Sequence, residues 1–361
     1  VTCNGVGERM LLEFMREYDL DTLSELSASI RQHSERAMRA AITDIRDGDY
    51  SNAIQIEGID GSLQLECQVT VQADQIKIGF EGTAQAVPQG INVPFCYTNA
   101  MALYAIKCLT IPSLPNNAGS IAPVEVSAPA GCLLSAQHPS PTGARHVIGH
   151  FVTPLIFGAL ADAATNRVQA DSGMADLVTF HGRHPNGRSI STIYFASGGF
   201  GALQDHDGLA TTPGPSNMAV VPSELWEALT GTTIISKRLL PDSGGIGKAR
   251  GGLGQEVVIR NDTGHPMTVF LMGNRTVFPP LGLSNGGDGA LRLHKVNGDA
   301  VDPKSRIILA PGDVMTLCQA GGGGFGCARQ RTRAQVNDDI SDGFVSLEAA
   351  RRDYDYDDGE S

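Results

Sequence analysis

The stretch PDSGGIGKARGGLG, Pro241 to Gly254, sets six glycines among a lysine, an arginine, an aspartate and a serine. It is the densest part of a wider bias. The chain carries 43 glycines in 361 residues, and they cluster after residue 198. Residues without a Cβ permit positive φ and close backbone approach, so the C-terminal half must be rich in tight turns. The same feature raises a functional question, because glycine-rich loops cradle phosphates. A P-loop needs G-x-x-x-x-G-K-[ST]. Here Gly247-Lys248 is followed by Ala249, and the position five before Gly247 is Asp242. The dinucleotide fingerprint fails at Arg250, where a glycine would be required. A G-x-G-x-x-G match at Gly321, Gly323 and Gly326 follows a strand-like run, but the residues after it do not read as an amphipathic helix. Both clusters therefore read as backbone-dense turns, with amide groups around an anion or a carbonyl as the alternative.

Hydrophobic periodicity divides the chain. Residues from about 8 to 47 read as two helices, with Met10, Leu11, Phe14 and Met15 on one packing stripe and Asp21 or Thr22 capping the second. From Ala53 the period becomes two, giving a three-stranded meander through AIQIEG, LQLECQVTV and QIKIGFEG. NAMALYAIKCL returns to helix with Thr98 or Asn99 as cap. HVIGHFVTPLIFGALADAA reads as one long helix kinked at Pro154. Strands then dominate, with Asn186-Gly187 as a hairpin turn, until a last helix capped by Ser346. The expected fold is α+β: a helical N-terminal part with a β-meander, then a β-rich, glycine-rich C-terminal part. The expected division is 1–170, 171–345, and 346–361 as a short helix with a disordered acidic tail.

The net charge of −12 argues against a nucleic-acid partner. The basic run ARQRTRAQ, residues 328–335, reads as solvated surface. Seven cysteines without a CxxC pair sit largely in apolar segments, as reduced thiols of a cytoplasmic protein would. No apolar run reaches the length of a membrane span.

Five stretches occur in order: LPNNAGSIAPVEVSAPAG, PDSGGIGKARGGLG, FPPLGLSNGG, LAPGDVMTLCQAGGGGFG and DGFVSLEAARRDY. In this order and wording the chain resembles the hydantoinase B/oxoprolinase family, from about Gly5 to about Tyr354. That family includes B subunits of ATP-dependent N-methylhydantoinases, the matching half of 5-oxoprolinases, and subunits of acetone and acetophenone carboxylases. The resemblance implies an ATP-dependent opening of cyclic amides, with ATP bound by an A-type partner subunit in a hetero-oligomeric complex. A ketone carboxylase subunit and a non-catalytic assembly subunit are the alternatives. It also implies an N-terminal segment that holds a divalent metal. The chain opens at Val1 without a match to that motif, so it is expected to lack the segment, and no metal ligands are assigned. Ala122, Cys327 and Ala328 depart from the residues usual in the family.

Candidate site residues follow. Asp242, Ser243, Lys248 and Arg250 lie in the glycine-rich loop, where Arg250 is suited to clamp a carboxylate or phosphate. Asp242 is suited equally to pair with Arg250. His206, between Asp205 and Asp207, is suited to act as an oriented base, with an Asp-Gly turn as the plainer reading. Asp242, Arg250, His206 and Asp207 are the catalytic candidates. Asn116, Asn117, Ser243, Lys248, Arg145 and His146 are the substrate-binding candidates. His146 and His150 stand four apart, on one face if the helix begins by Arg145, with no third ligand evident nearby.

Overall fold

The computed structural model describes residues 2–216, 218 and 221–357. Its N-terminal half contains α1 (Thr2–Glu17), α2 (Ser24–Ile42), β1 (Gly48–Glu57), β2 (Ser62–Gln72), β3 (Gln75–Gly79), α3 (Phe95–Leu109), α4 (Ala118–Ile121), β4 (Val124–Ser127), α5 (His146–Gly149) and α6 (Val152–Ala159). The first three strands form the antiparallel meander that their alternation predicts, and β4 adds itself parallel to β3. The inward residues Leu65, Cys67, Val69 and Val71 of β2 are buried with Ile106 and Leu109 of α3 and with Leu155 and Ile156 of α6.

The second half contains β5 (Ala175–Arg183), β6 (Ser189–Ser197), α7 (Ser223–Thr230), β7 (Thr233–Leu239), β8 (Gln255–Arg260), β9 (Met267–Phe270), β10 (Leu293–Val296), β11 (Asp299–Ala300), β12 (Arg306–Leu309) and β13 (Val314–Cys318). They make two antiparallel sheets, ordered β11-β10-β13-β8-β7 and β12-β9-β5-β6. Phe180, Tyr194, Val257, Met315 and Trp226 of α7 share the core between them. Two helices, α8 (Arg333–Ser341) and α9 (Leu347–Asp353), close the chain over a small cluster of Val336, Val345, Ala349, Ala350 and Tyr354. The α+β class and its polarity, helices first and glycine-rich strands later, are as the sequence predicts. Among the described residues, no helix is long and apolar enough to cross a membrane.

Several local expectations are corrected. The long helix is broken into α5 and α6, because Pro154 can neither donate to the His150 carbonyl nor fit its ring beside it. Pro154 falls instead in the first turn of α6, where a missing N–H costs little. The stripe on α1 enters no core: the helix buries no residue, and Met10, Leu11 and Phe14 are exposed. Neither α2 nor α3 has a side-chain cap at its N-cap residue. Thr98 donates to the Leu134 carbonyl, and Thr22, one residue before the N-cap Leu23, accepts from Ser24 N. The acidic tail is partly ordered, since Asp355 pairs with Arg329 at 3.1 Å and the Arg333 guanidinium lies over Tyr356 at 5.6 Å. Asp358–Ser361 lie outside the described residues.

Candidate functional site

Four glycine-rich segments meet at one place: 198–201 after β6, 243–254 between β7 and β8, 281–289 between β9 and β10, and 321–326 after β13. They are interlocked backbone against backbone. A Cβ on Gly321 would fall on the Ser243 carbonyl, on Gly251 on that of Gly322, on Gly323 on that of Leu281, and on Gly199 on that of Gly252. Glycine is required here by space rather than by φ.

Most of the amides in this interlock are directed inward. Residues 321 to 326 donate in turn to the carbonyls of Ala290, Gly252, Asp171, Gly287, Ala249 and Leu283. In the 243–254 loop, Gly245, Lys248, Ala249, Gly251 and Gly252 donate to carbonyls of Gly322, Gly326, Phe325, Gly245 and Phe200. A phosphate-binding loop must leave such donors open to a ligand. Here the buried backbone satisfies itself, so the clusters are a closed structural knot, as the motif failures suggest.

The polar side chains expected to work together are distributed around this knot. Asp242, at φ +61°, accepts from the Ser346 amide at 2.8 Å and so anchors the start of α9; it does not pair with Arg250. Arg250 is 5% exposed, with Nε 3.2 Å from Asp339, NH1 donating to the Gly251 carbonyl and the guanidinium over Phe344 at 5.1 Å. Its charge is met inside the protein rather than offered to a ligand. Ser243 Oγ donates to the Leu240 carbonyl and accepts from Gly254 N. Lys248 reaches out to Asp205 at 2.8 Å, and His206 beside it is exposed. Asp207 turns away from its histidine: it accepts from the Arg250 amide at 2.7 Å and from Arg331 at 2.7 Å.

Arg331 is the residue that sequence reasoning missed, and its reading as solvated surface is wrong. It is 7% exposed and bonds to Asp207, Asp339 and the Lys248 carbonyl. Burial would lower its pKa, but the two carboxylates push it further up. Burial alone would raise the Asp207 carboxyl; the Arg331 hydrogen bond and charge, with the Arg250 amide, hold it below its ordinary value. The available signal was the capping box of Thr332 and Gln335, which begins α8 immediately after Arg331 and so carries Asp339 back toward it.

The remaining candidates lie elsewhere. Asn117 caps α4 in a capping box with Ser120 and donates to Ser34 at 2.8 Å, whereas Asn116 is exposed. Arg145 lies over Tyr97 at 5.9 Å. The His146 and His150 rings are 6.2 Å apart, and burial lowers both imidazole pKa values, that of His150 to about 4. Among the described residues, no three His, Cys, Asp or Glu side chains converge as metal ligands. The residues present therefore do not fit a metal centre.

Sequence reasoning named neither of two further polar groups, of which the first joins the halves of the chain and the second lies within the second half. Glu57 Oε1 accepts from the amides of Thr276, Val277 and Phe278 at 2.7, 2.8 and 3.1 Å. Asp176, Arg292, His294 and Gln319 form a wholly buried cluster, with His294 Nε2 2.9 Å from Asp176.

The model of the family described as Hydantoinase B/oxoprolinase matches residues 1–328. The B subunit of a putative D-/L-hydantoinase from Pseudomonas sp. (strain NS671) is 27% identical over 97% of this chain and 62% of its own. The beta subunit of a caprolactamase from Pseudomonas jessenii is 29% identical over 97% of this chain and 64% of its own. The crystal structure of an ATP-dependent caprolactamase from the same organism superposes with a TM-score of 0.88 at 24% identity, covering 99% of this chain and 65% of that one. The chain thus spans less than two thirds of the length of these relatives.

Proposed function

We propose, from the premise that this chain belongs to the hydantoinase B/oxoprolinase family, that it forms part of the B-type subunit of an ATP-dependent hydrolase of cyclic amides. Hydantoins and 5-oxoproline are the leading substrates. The observation that carries this reading is the family match across residues 1–328, which takes in all four segments of the glycine knot. Amide resonance makes a lactam carbonyl a poor electrophile. Phosphorylation of its oxygen by ATP turns that oxygen into a leaving group, and hydrolysis then becomes favourable. The knot directs most of its amides to its own carbonyls, which supports assigning ATP to an A-type partner in a hetero-oligomer.

In this reading Asp207, Asp242, Ser243 and Arg250 are positioning residues that hold the knot and the terminal helices in register. His206, exposed beside the knot, and Lys248, half-buried and paired with Asp205 on its rim, are the groups placed to meet substrate or partner. Arg145 and His146 at the start of α5, and Asn116 before α4, lie apart from it on the N-terminal half. The seven cysteines are all unpaired, which supports a reducing compartment, the cytoplasm.

The test is ring opening of hydantoin and of 5-oxoproline by the chain co-expressed with an A-type subunit, with and without ATP. ATP-dependent opening supports the proposal. Turnover of a ketone that requires bicarbonate would place the complex in the carboxylase branch instead, and assembly without turnover of either would leave this chain an assembly subunit.

A further inference from the structure

Two adjoining cavities lie where α6 meets the glycine knot. The larger, about 140 Å³, is walled by Asn52 and Ile54 of β1, Gly158, and the turn from Leu281 to Leu283. The smaller, about 20 Å³, lies against Thr153, Phe157 and Ser172. Pro154, Gln169 and Asp171 line both. A cavity of about 150 Å³ holds a six-membered carbon ring, and one of some 15 Å³ holds a single water.

The polar atoms here are selective. Thr153 is 4% exposed, and its Oγ1 is buried without a hydrogen-bond partner among the described residues. A buried hydroxyl is normally satisfied, so this one is a vacant contact. Asp171 is already engaged: Arg275 pairs with one oxygen, and the Ser172 amide donates to the other at 2.7 Å. Ser172 Oγ donates to the Gly199 carbonyl and accepts from Gly214 N. The Asp171 charge is thereby neutralised, which favours an uncharged ligand. Ile54, Pro154 and Leu281 supply apolar faces for a ring.

We propose that the larger cavity binds the ring of a small cyclic amide, held at its edge by the Gln169 carboxamide, with the Thr153 hydroxyl facing an oxygen in the smaller cavity. Ring closure fixes the amide cis, so its N–H and C=O lie on one edge. A primary carboxamide presents the complementary donor and acceptor on one edge of its own. The choice of an amide among neutral rings rests on the function proposed above; the cavities and the vacant hydroxyl do not.

The experiment measures binding of 2-pyrrolidinone to the full chain by ligand-observed NMR, and KM and kcat for cyclic-amide opening in the assembled complex. Gln169→Leu removes the polar edge, Leu283→Phe fills the larger cavity, and Thr153→Val removes the vacant hydroxyl while keeping its shape. Each is expected to weaken lactam binding about tenfold or more, the loss of roughly one hydrogen bond or of the space itself. In an active complex KM should rise with it. Thr153→Val should not lower thermal stability, because it removes an unsatisfied group. An active complex in which all three variants bind and turn over as the parent does would overturn the site while leaving the proposed function intact. Lactam binding that the variants abolish, in a complex that opens no cyclic amide, would uphold the site and count against the function.

Discussion

The Arg331 guanidinium lies 2.7 Å from Asp207 and 2.7 Å from Asp339, joining the loop after β6, the glycine knot and α8 through one buried cation. Removing one partner of a buried ion pair leaves the other charge unsolvated and costs about 3–5 kcal/mol. Arg331→Ala is therefore expected to lose stability on that scale in urea unfolding. Arg329→Ala, whose side chain is 79% exposed, should change it by less than about 0.5 kcal/mol. Equal effects for the two would mean that the network contributes nothing.

The knot makes a sharper claim about single glycines. Gly321→Ala and Gly199→Ala each place a methyl on a neighbouring carbonyl that is itself fixed by packing, and should abolish the cooperative fold or lower Tm severely. At Gly143 an added methyl would meet nothing within 4 Å and φ is not positive, so alanine should be accepted with little change. Thermal unfolding of the purified variants separates these outcomes.

Acid should weaken the protein in two stages. Desolvation lowers the half-buried His150 imidazole from 6.5 to about 4, so between those values the unfolded chain binds more protons than the native one. The stability that its neutral form supplies is complete above 6.5 and is lost as pH falls toward 4. Asp207, held below the ordinary carboxylate value, adds a loss at still lower pH as it protonates. Urea unfolding at about pH 7 and about pH 5 should show the first stage, and His150→Phe should flatten it. A flat parent profile across that window contradicts the assignment.

Glu57 predicts a local effect. Its carboxylate receives three consecutive amides, and charge-assisted bonds are about twice as strong as neutral ones. Glu57→Gln should speed hydrogen exchange at Thr276, Val277 and Phe278 about tenfold or more, with β5 and β6 unchanged. Unaltered protection at those three amides would show that the carboxylate does not hold the turn.

The parts of the fold readable in the sequence are those in which local pattern and tertiary need agree. The alternation of β2 buries Leu65, Cys67 and Val69 as predicted, and Asn186-Gly187 turns the β5–β6 hairpin. The glycine-rich turns were legible as close-packed backbone, although their partners were not, since each glycine meets a segment far away in sequence. The site was less legible for the same reason. Asp207, Arg250, Arg331 and Asp339 lie on separate segments, and only tertiary contact shows that their charges neutralise one another. The short pieces α4 and β11, four and two residues long, escaped because their patterns are too brief to stand out from the loops around them. Pro154 was read as a kink within one helix, when its clash with the carbonyl four residues back divides two.

The division of labour rests on the glycine knot being closed to phosphate, and nucleotide binding tests it directly. Labelled ATP would be titrated against this chain, against an A-type subunit, and against the two together. Saturable binding is expected for the A-type subunit and for the complex, with none to this chain by itself. Saturable ATP binding to this chain, weakened by Lys248→Ala on the rim of the knot, would contradict that division.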